Sequence, residues 1–163
     1  MTHPFIERLL TDLLAGCQRH YGSQLAAVAV FGSIGRGTAR PDSDLDVLVV
    51  ADGFPDGRVA RAADFEAVES ALAAAVGEAR RAGLAAWVSP VLKTPAEIEH
   101  GSPLLLDMVD DARILYDRDR FLERALAALR ARLDRLGARR IWLGSAWIWD
   151  LKPDYKPGEV FDL

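Results

Sequence analysis

Two short apolar runs joined by a glycine-containing polar loop constrain the fold of this chain more than any other feature. The first run covers residues 25–31, the loop covers residues 32–43, and the second run covers residues 45–50 and is apolar apart from Asp46. Apolar runs of this length are typical of strands buried on both faces. Buried strands need helices packed on them, so we predict an α/β (α+β) domain built on a small mixed β-sheet.

Apolar spacing elsewhere predicts the helices and strands that would cover this sheet. An amphipathic first helix is expected between Phe5 and Cys17, and the proline at position 90 places the third strand at a sheet edge or a bulge. The other predicted elements are a long helix near 57–82, a strand over 84–93, short helices after Thr94 and after Ser102, a strand over 114–116, and a leucine-striped helix over 119–136.

Length and composition limit the organisation of the chain. Its 163 residues suit one domain, which we assign to residues 1–139, followed by an aromatic tail over residues 140–163. The single cysteine, Cys17, excludes a disulfide framework and indicates a cytoplasmic protein. A net charge of −4 argues against a protein that coats nucleic acid. No apolar run is long enough to span a membrane, so we do not expect a membrane among the partners.

The loop between the two predicted strands has the composition of an anion-binding turn. Gly32 lacks a Cβ, so another group can approach the backbone closely at that point. Backbone N–H groups in such a turn, together with the Ser33 hydroxyl, form a concavity suited to phosphate. Arg36 and Arg40 can add charge-assisted hydrogen bonds to phosphate oxygens.

Two carboxylates lie at the beginning of the second predicted strand. Asp44 and Asp46 are two residues apart, so both side chains point to the same face of that strand, at the end next to the glycine loop. Paired carboxylates beside a phosphate cradle are suited to Mg²⁺ bridged to a nucleotide. This combination is the minimum that metal-assisted phosphoryl or nucleotidyl transfer requires.

This stretch resembles the signature of the nucleotidyltransferase superfamily that includes DNA polymerase beta, and most closely its minimal members of the kanamycin and antitoxin types. The resemblance is strong over residues 24–52, schematic over 53–117 and absent in the tail. It implies a magnesium-dependent transfer of a nucleoside monophosphate from a nucleoside triphosphate to a hydroxyl. It also implies triphosphate binding by Gly32, Ser33, Arg36 and Ser43, and catalysis with Mg²⁺ ligation by Asp44 and Asp46.

The sequence departs from this family at a third carboxylate, which catalytic members place on the neighbouring strand. Ser89 or Val91 is expected at that position. A second metal ion would then bind weakly, unless one of four later acids folds back. Those acids are Glu97, Glu99, Asp107 and Asp110. The alternative to an enzyme is a non-catalytic, nucleotide-binding subunit that acts through a protein partner, as an antitoxin-like or regulatory protein would.

Two further features leave alternatives open. The arginine-rich stretch 118–140 could bind RNA or an acidic partner, or form a solvated helix face. Trp147 and Trp149 alternate as strand residues do, which favours a tail packed on the domain or on a partner over an aromatic binding platform or a lid. The leucine stripe and the aromatic tail together suggest a homodimer.

Overall fold

A central sheet of four strands organises the computed structural model, which describes residues 3–144 and 146–161. The strands are β1 (Leu25–Val30), β2 (Leu45–Ala51), β3 (Val88–Lys93) and β4 (Arg113–Asp117). Their order across the sheet is β3-β2-β1-β4, and β1 runs antiparallel to both of its neighbours, whereas β2 and β3 are parallel. The predicted small mixed sheet is therefore confirmed, and β3, which contains Pro90, is an edge strand as expected.

Helices cover both faces of this sheet. They are α1 (Pro4–Tyr21), the single turn α2 (Gly32–Gly35), α3 (Arg58–Arg81), α4 (Pro95–Glu99), α5 (Leu104–Met108) and α6 (Phe121–Leu136). Helix α1 packs against α3 on one face, while α4, α5 and α6 contribute to the core on the other. Across the described ranges, no helix is both long and apolar enough to cross a membrane.

Alternating residues of the inner strands feed two separate hydrophobic clusters, one on each face. In β1, Val28 and Val30 pack into the cluster beneath α1 and α3, whereas Ala27 and Ala29 pack into the cluster beneath α6. All six residues of β1 are buried, which explains why this strand reads as a continuous apolar run. The small alanines face α6, so that helix can approach the sheet closely.

The leucine stripe of α6 is buried within the same molecule. Leu122, Leu126, Leu129 and Leu133 all belong to the cluster that α6 forms with β1 and β2. A second copy of the chain is therefore not needed to cover this stripe. Of the two sequence features that suggested a homodimer, the aromatic tail is the one that remains.

Removing one leucine of this stripe should destabilise the fold. We expect Leu133→Ala to lower the free energy of unfolding by about 2–5 kcal/mol, because the side chain is fully buried and its loss leaves a cavity. Leu143→Ala is the matched control, since that side chain is 59% exposed and should change stability by less than about 0.5 kcal/mol. Urea denaturation followed by circular dichroism measures both values; equal effects would contradict this packing.

Three predicted boundaries are wrong for local reasons. The third strand begins at Val88 instead of residue 84, because the Ala86 backbone has a positive φ of 48° and the Ala85 N–H donates to the Pro41 carbonyl at 2.6 Å. The loop after β1 begins with the helical turn α2. Helix α6 begins at Phe121 instead of residue 119, after two residues with positive φ.

The C-terminal segment contains a β-hairpin that is separate from the main sheet. Strands β5 (Arg139–Leu143) and β6 (Ala146–Asp150) pair antiparallel, with Trp142 opposite Trp147. Trp149 packs against the α6-side cluster, and its Nε1 donates a hydrogen bond to the Leu106 carbonyl at 3.1 Å. The division into a domain over 1–139 and a tail over 140–163 stays a prediction, and residues 1, 2, 145, 162 and 163 lie outside the described ranges.

Candidate functional site

The end of β1 and the beginning of β2 meet at a point of unusually close approach. Because the two strands are antiparallel, the Phe31 N–H donates to the Asp46 carbonyl at 3.1 Å, and Gly32 follows directly. A Cβ at Gly32 would collide with Asp46 Oδ2 and lie 3.2 Å from its Cγ, and the Gly32 φ is +63°. The Asp46 carboxylate therefore occupies the space that any side chain at position 32 would need.

Asp44 and Asp46 share the sheet face that α4, α5 and α6 cover. Asp44 directly precedes β2, Asp46 is its second residue, and the next residue on the same face, Leu48, is in the α6-side cluster. Asp44 is exposed, while Asp46 is half-buried. Within the described part of the chain, neither carboxylate forms a close ion pair.

Burial raises the pKa of the Asp46 carboxyl, and the neighbouring Asp44 charge raises it further, while the Arg36 guanidinium acts in the opposite direction. The environment of Asp46 therefore disfavours the ionised form of that carboxyl. A cation between the two carboxylates would relieve both the burial cost and the mutual repulsion. Carboxylate oxygens are also the donors that Mg²⁺ prefers, so these residues fit that ion.

The loop after Gly32 is organised by its own hydrogen bonds. The Thr38 N–H donates to the Ser33 carbonyl at 2.9 Å, and the Arg40 N–H donates to the Ser43 hydroxyl oxygen at 2.9 Å. The Ser43 hydroxyl thus closes the turn over 40–43. The α2 turn, which follows β1 near Asp46, contains Gly32 and Ser33, and Arg36 comes directly after it. The roles of these three residues toward a nucleotide remain predictions.

Strand register identifies the residue opposite the aspartate pair. In the parallel β2–β3 ladder, Asp46 is aligned with Ser89, and Val91 is aligned with Leu48. Val91 packs against the α6-side cluster, so Ser89 is the β3 residue beside the carboxylates. The sequence had left these two positions as alternatives, because periodicity alone does not set the register between strands.

The four later acids are distributed differently. Glu97 caps α4 through Thr94 and pairs with Arg61 at 2.7 Å, and Glu99 lines a groove beside α6. Of the four, Asp107 is the one whose charge raises the pKa of Asp46. Its effect is smaller than those of burial, Asp44 and Arg36. Over the residues that the structure describes, no group of three or more His, Cys, Asp or Glu side chains is arranged to hold a metal ion.

Asp110 belongs to a charged cluster that sequence reasoning missed. It pairs with Arg130 and Arg140, while Asp111 lies 2.9 Å from Arg140 and 3.6 Å from Arg36. Two acids at the end of a helix are unfavourable for the helix dipole, and this pattern is the sequence signal that could have pointed to nearby cations.

Ion pairs also engage much of the arginine-rich stretch. Arg118 pairs with Asp52, Arg120 with Glu123, and Arg139 with Asp150. Of the two interpretations of residues 118–140, this arrangement favours a largely neutralised surface over a binding site for RNA.

Comparison with known proteins agrees with this geometry. The family model of the nucleotidyltransferase domain matches residues 10–98. A relative from Methanocaldococcus jannaschii, named a "putative protein adenylyltransferase", is 30% identical over 139 residues, which are 83% of this chain and 88% of that protein. The chain therefore belongs to the nucleotidyltransferase domain family, as the resemblance of residues 24–52 implied.

A solved structure supports the same fold. A Shewanella oneidensis complex described as a tri-AMPylated HEPN toxin with its MNT antitoxin matches with a TM-score of 0.50 and 16% identity, over 80% of this chain and 87% of that chain. A toxin–antitoxin structure with AMP-PNP matches with a TM-score of 0.48 and 19% identity, over 77% and 91% of the two chains.

Proposed function

We propose that this protein transfers AMP from ATP to a hydroxyl group of a partner protein, in a magnesium-dependent reaction. The observation that carries this proposal is the 30% identity, over most of both chains, to the relative named a "putative protein adenylyltransferase". The close approach of Gly32 and Asp46 supports it, since it brings the main chain of the glycine turn against one of the two carboxylates. A cytoplasmic location remains the prediction made from the single cysteine.

In this proposal, each residue of the site has a separate role. The α2 turn binds triphosphate oxygens through backbone N–H groups and the Ser33 hydroxyl, and Arg36 adds a positive charge. Asp44 and Asp46 hold Mg²⁺, whose charge, when it is bound, stabilises the triphosphate and the departing pyrophosphate. Ser43 shapes the loop through its bond to the Arg40 N–H.

The transfer forms one bond and breaks one. The acceptor oxygen bonds to the α-phosphorus, the bond from that phosphorus to its bridging oxygen breaks, and pyrophosphate leaves. The hydroxyl proton passes to solvent, because Ser89 lacks the carboxylate that would accept it. General-base catalysis is worth about 10²–10⁴-fold, so we expect slow transfer with intact nucleotide binding.

The test is incubation of the protein with Mg²⁺, a cell extract and each α-labelled nucleoside triphosphate in turn. We expect label from ATP on a protein band, with an added AMP on a Tyr, Ser or Thr found by mass spectrometry. Label on RNA or on a small molecule would refute the proposal that the acceptor is a protein. Label from a nucleoside triphosphate other than ATP would refute the proposal that ATP is the donor. The double variant Asp44→Asn/Asp46→Asn serves as the inactive control.

A second candidate function is nucleotide binding without transfer, by a subunit that regulates its protein partner. The alignment of Ser89 with Asp46 favours it, because no carboxylate of β3 lies beside the pair. In the same incubation, a protein that binds ATP and Mg²⁺ but yields no labelled acceptor would support this candidate.

A carboxylate introduced on β3 tests whether Ser89 or Val91 lies beside the aspartate pair. We expect Ser89→Asp to tighten Mg²⁺ binding about tenfold in the presence of ATP, because it adds a hard anionic ligand beside Asp46. Val91→Asp is the matched control: it buries a charge against the apolar cluster and should lower stability without tightening Mg²⁺. Calorimetric titration measures both, and equal Mg²⁺ affinity in Ser89→Asp and the unmodified protein would contradict the prediction. Brisk turnover by the unmodified protein would contradict the slow transfer expected above.

A further inference from the structure

Arg140, at the start of the C-terminal hairpin, is enclosed by aromatic rings. Its guanidinium carbon lies 4.3 Å from the ring centre of Trp147, 5.4 Å from that of Trp149 and 5.8 Å from that of Trp142. All four side chains are on one face of the hairpin, because Arg140 is opposite Trp149 and Trp142 is opposite Trp147. Only 12% of the Arg140 side chain is exposed, so its charge is held in a fixed, largely dry position.

The Arg140 guanidinium forms ion pairs with two adjacent carboxylates, those of Asp110 and Asp111. Arg140 Nη1 donates to Asp111 Oδ2 at 2.9 Å, and Nη2 lies 3.1 Å from Asp110 Oδ2. The same Asp111 oxygen lies 3.6 Å from Arg36 Nη1. A single carboxylate oxygen is therefore shared by an arginine of the hairpin and an arginine of the loop that follows β1.

The backbone at Asp111 also touches that loop. A Cβ at Gly35 would collide with the Asp111 carbonyl oxygen and lie 3.1 Å from the Val30 carbonyl oxygen, so α2 rests directly on the Asp111 main chain. The main chain at Asp111 and the α2 turn that precedes Arg36 are therefore in direct contact.

We propose that Arg140 is a positioning residue for nucleotide binding: by neutralising Asp111, it keeps Arg36 available to the triphosphate instead of locked to that aspartate. This inference rests on the proposed function only in assigning Arg36 to the phosphates. Without Arg140, Asp111 keeps its full charge beside the Arg36 guanidinium, which lies 3.6 Å away. Arg36 then pairs more tightly with Asp111 and less with a nucleotide.

The decisive measurement is ATP affinity in Arg140→Met and in the double variant Arg140→Met/Asp111→Asn, by calorimetry with Mg²⁺ and again with EDTA. We expect Arg140→Met to weaken ATP binding about tenfold in both buffers, which is the order expected for one charge-assisted hydrogen bond. The double variant should recover to within about threefold of the unmodified protein, because a neutral amide at position 111 no longer competes for Arg36. KM should rise while kcat changes little.

Arg139→Met is the matched control. Arg139 is the preceding residue, its side chain is 65% exposed, and it pairs with Asp150 on the opposite face of the hairpin, so ATP affinity should not change. If Arg140→Met folds poorly, Arg140→Lys keeps a charge but cannot bridge both aspartates, and should weaken ATP binding less than tenfold.

A merely structural Arg140 would behave differently. The double variant would then bind ATP as weakly as Arg140→Met, since the hairpin would be loosened in both, and this result would overturn the proposal. Unchanged ATP affinity in Arg140→Met would also overturn it. Failure of the proposed function has a separate readout, namely ATP binding without a labelled acceptor; an unmodified protein that binds no ATP would refute both.

Discussion

The double substitution Asp44→Asn/Asp46→Asn should abolish the tightening of ATP binding by Mg²⁺ and slow transfer by roughly 10³-fold. Asparagine keeps the shape of each side chain but removes the anionic oxygens that hold the ion. Stabilisation of transition-state charge by a metal is worth several kcal/mol, and each 1.36 kcal/mol is about tenfold in rate. Calorimetry with and without Mg²⁺ measures the first effect, and single-turnover labelling measures the second.

The same variant should not lose stability, and the reason is electrostatic. Burial and the Asp44 charge raise the pKa of Asp46, so the folded protein holds that proton more tightly than the unfolded chain does. Ionised Asp46 therefore costs stability above its folded pKa, and Asp46→Asn should raise the melting temperature at pH 7. This gain should vanish as the pH falls below the ordinary aspartate pKa of about 3.9, where both states are protonated.

Asp42→Asn is the control for this pair of measurements, because Asp42 is an exposed acid in the same loop and should leave both readouts unchanged. Equal Mg²⁺ enhancement in the double variant and the unmodified protein would show that the two aspartates do not bind the ion.

Gly32→Ala should eliminate Mg²⁺-dependent ATP binding altogether. The new methyl group would take the place of Asp46 Oδ2, so either the carboxylate or the α2 turn must move. Alanine at a φ of +63° also costs about 1–2 kcal/mol of backbone strain. We expect loss of nucleotide binding together with a lower melting temperature.

Gly37→Ala separates these two causes. Gly37 has a φ of +70°, but nothing lies within 4 Å of a Cβ built there, so the substitution adds the strain without the collision. It should lower the melting temperature by a similar amount while retaining ATP affinity to within about threefold. If both variants lost ATP binding equally, loop conformation alone, and not the approach of Asp46, would control the site.

Local patterns in the sequence predicted most of the strands and helices and the pair of aspartates. The apolar runs that became β1 and β2 and the leucine spacing of α6 depend on interactions within a few residues, so periodicity reveals them. The alternation of strand side chains likewise placed Asp44 and Asp46 on one face. The C-terminal hairpin was harder to predict, because its two strands are short and pair mainly with each other.

Relations between distant segments required the tertiary structure. The alignment of Ser89 with Asp46 depends on the register of a parallel pair whose connection contains the whole of α3, and a shift of two residues would have placed Val91 there instead. The burial of the leucine stripe and the contact of Arg140 with Asp111 depend on how α6 and the hairpin fold back over the sheet. By itself, the sequence determined which groups could perform the chemistry, because chemical identity and strand alternation are local properties. Only the packing of remote elements decided which of those groups meet, because their separation along the chain carries no information about their distance in space.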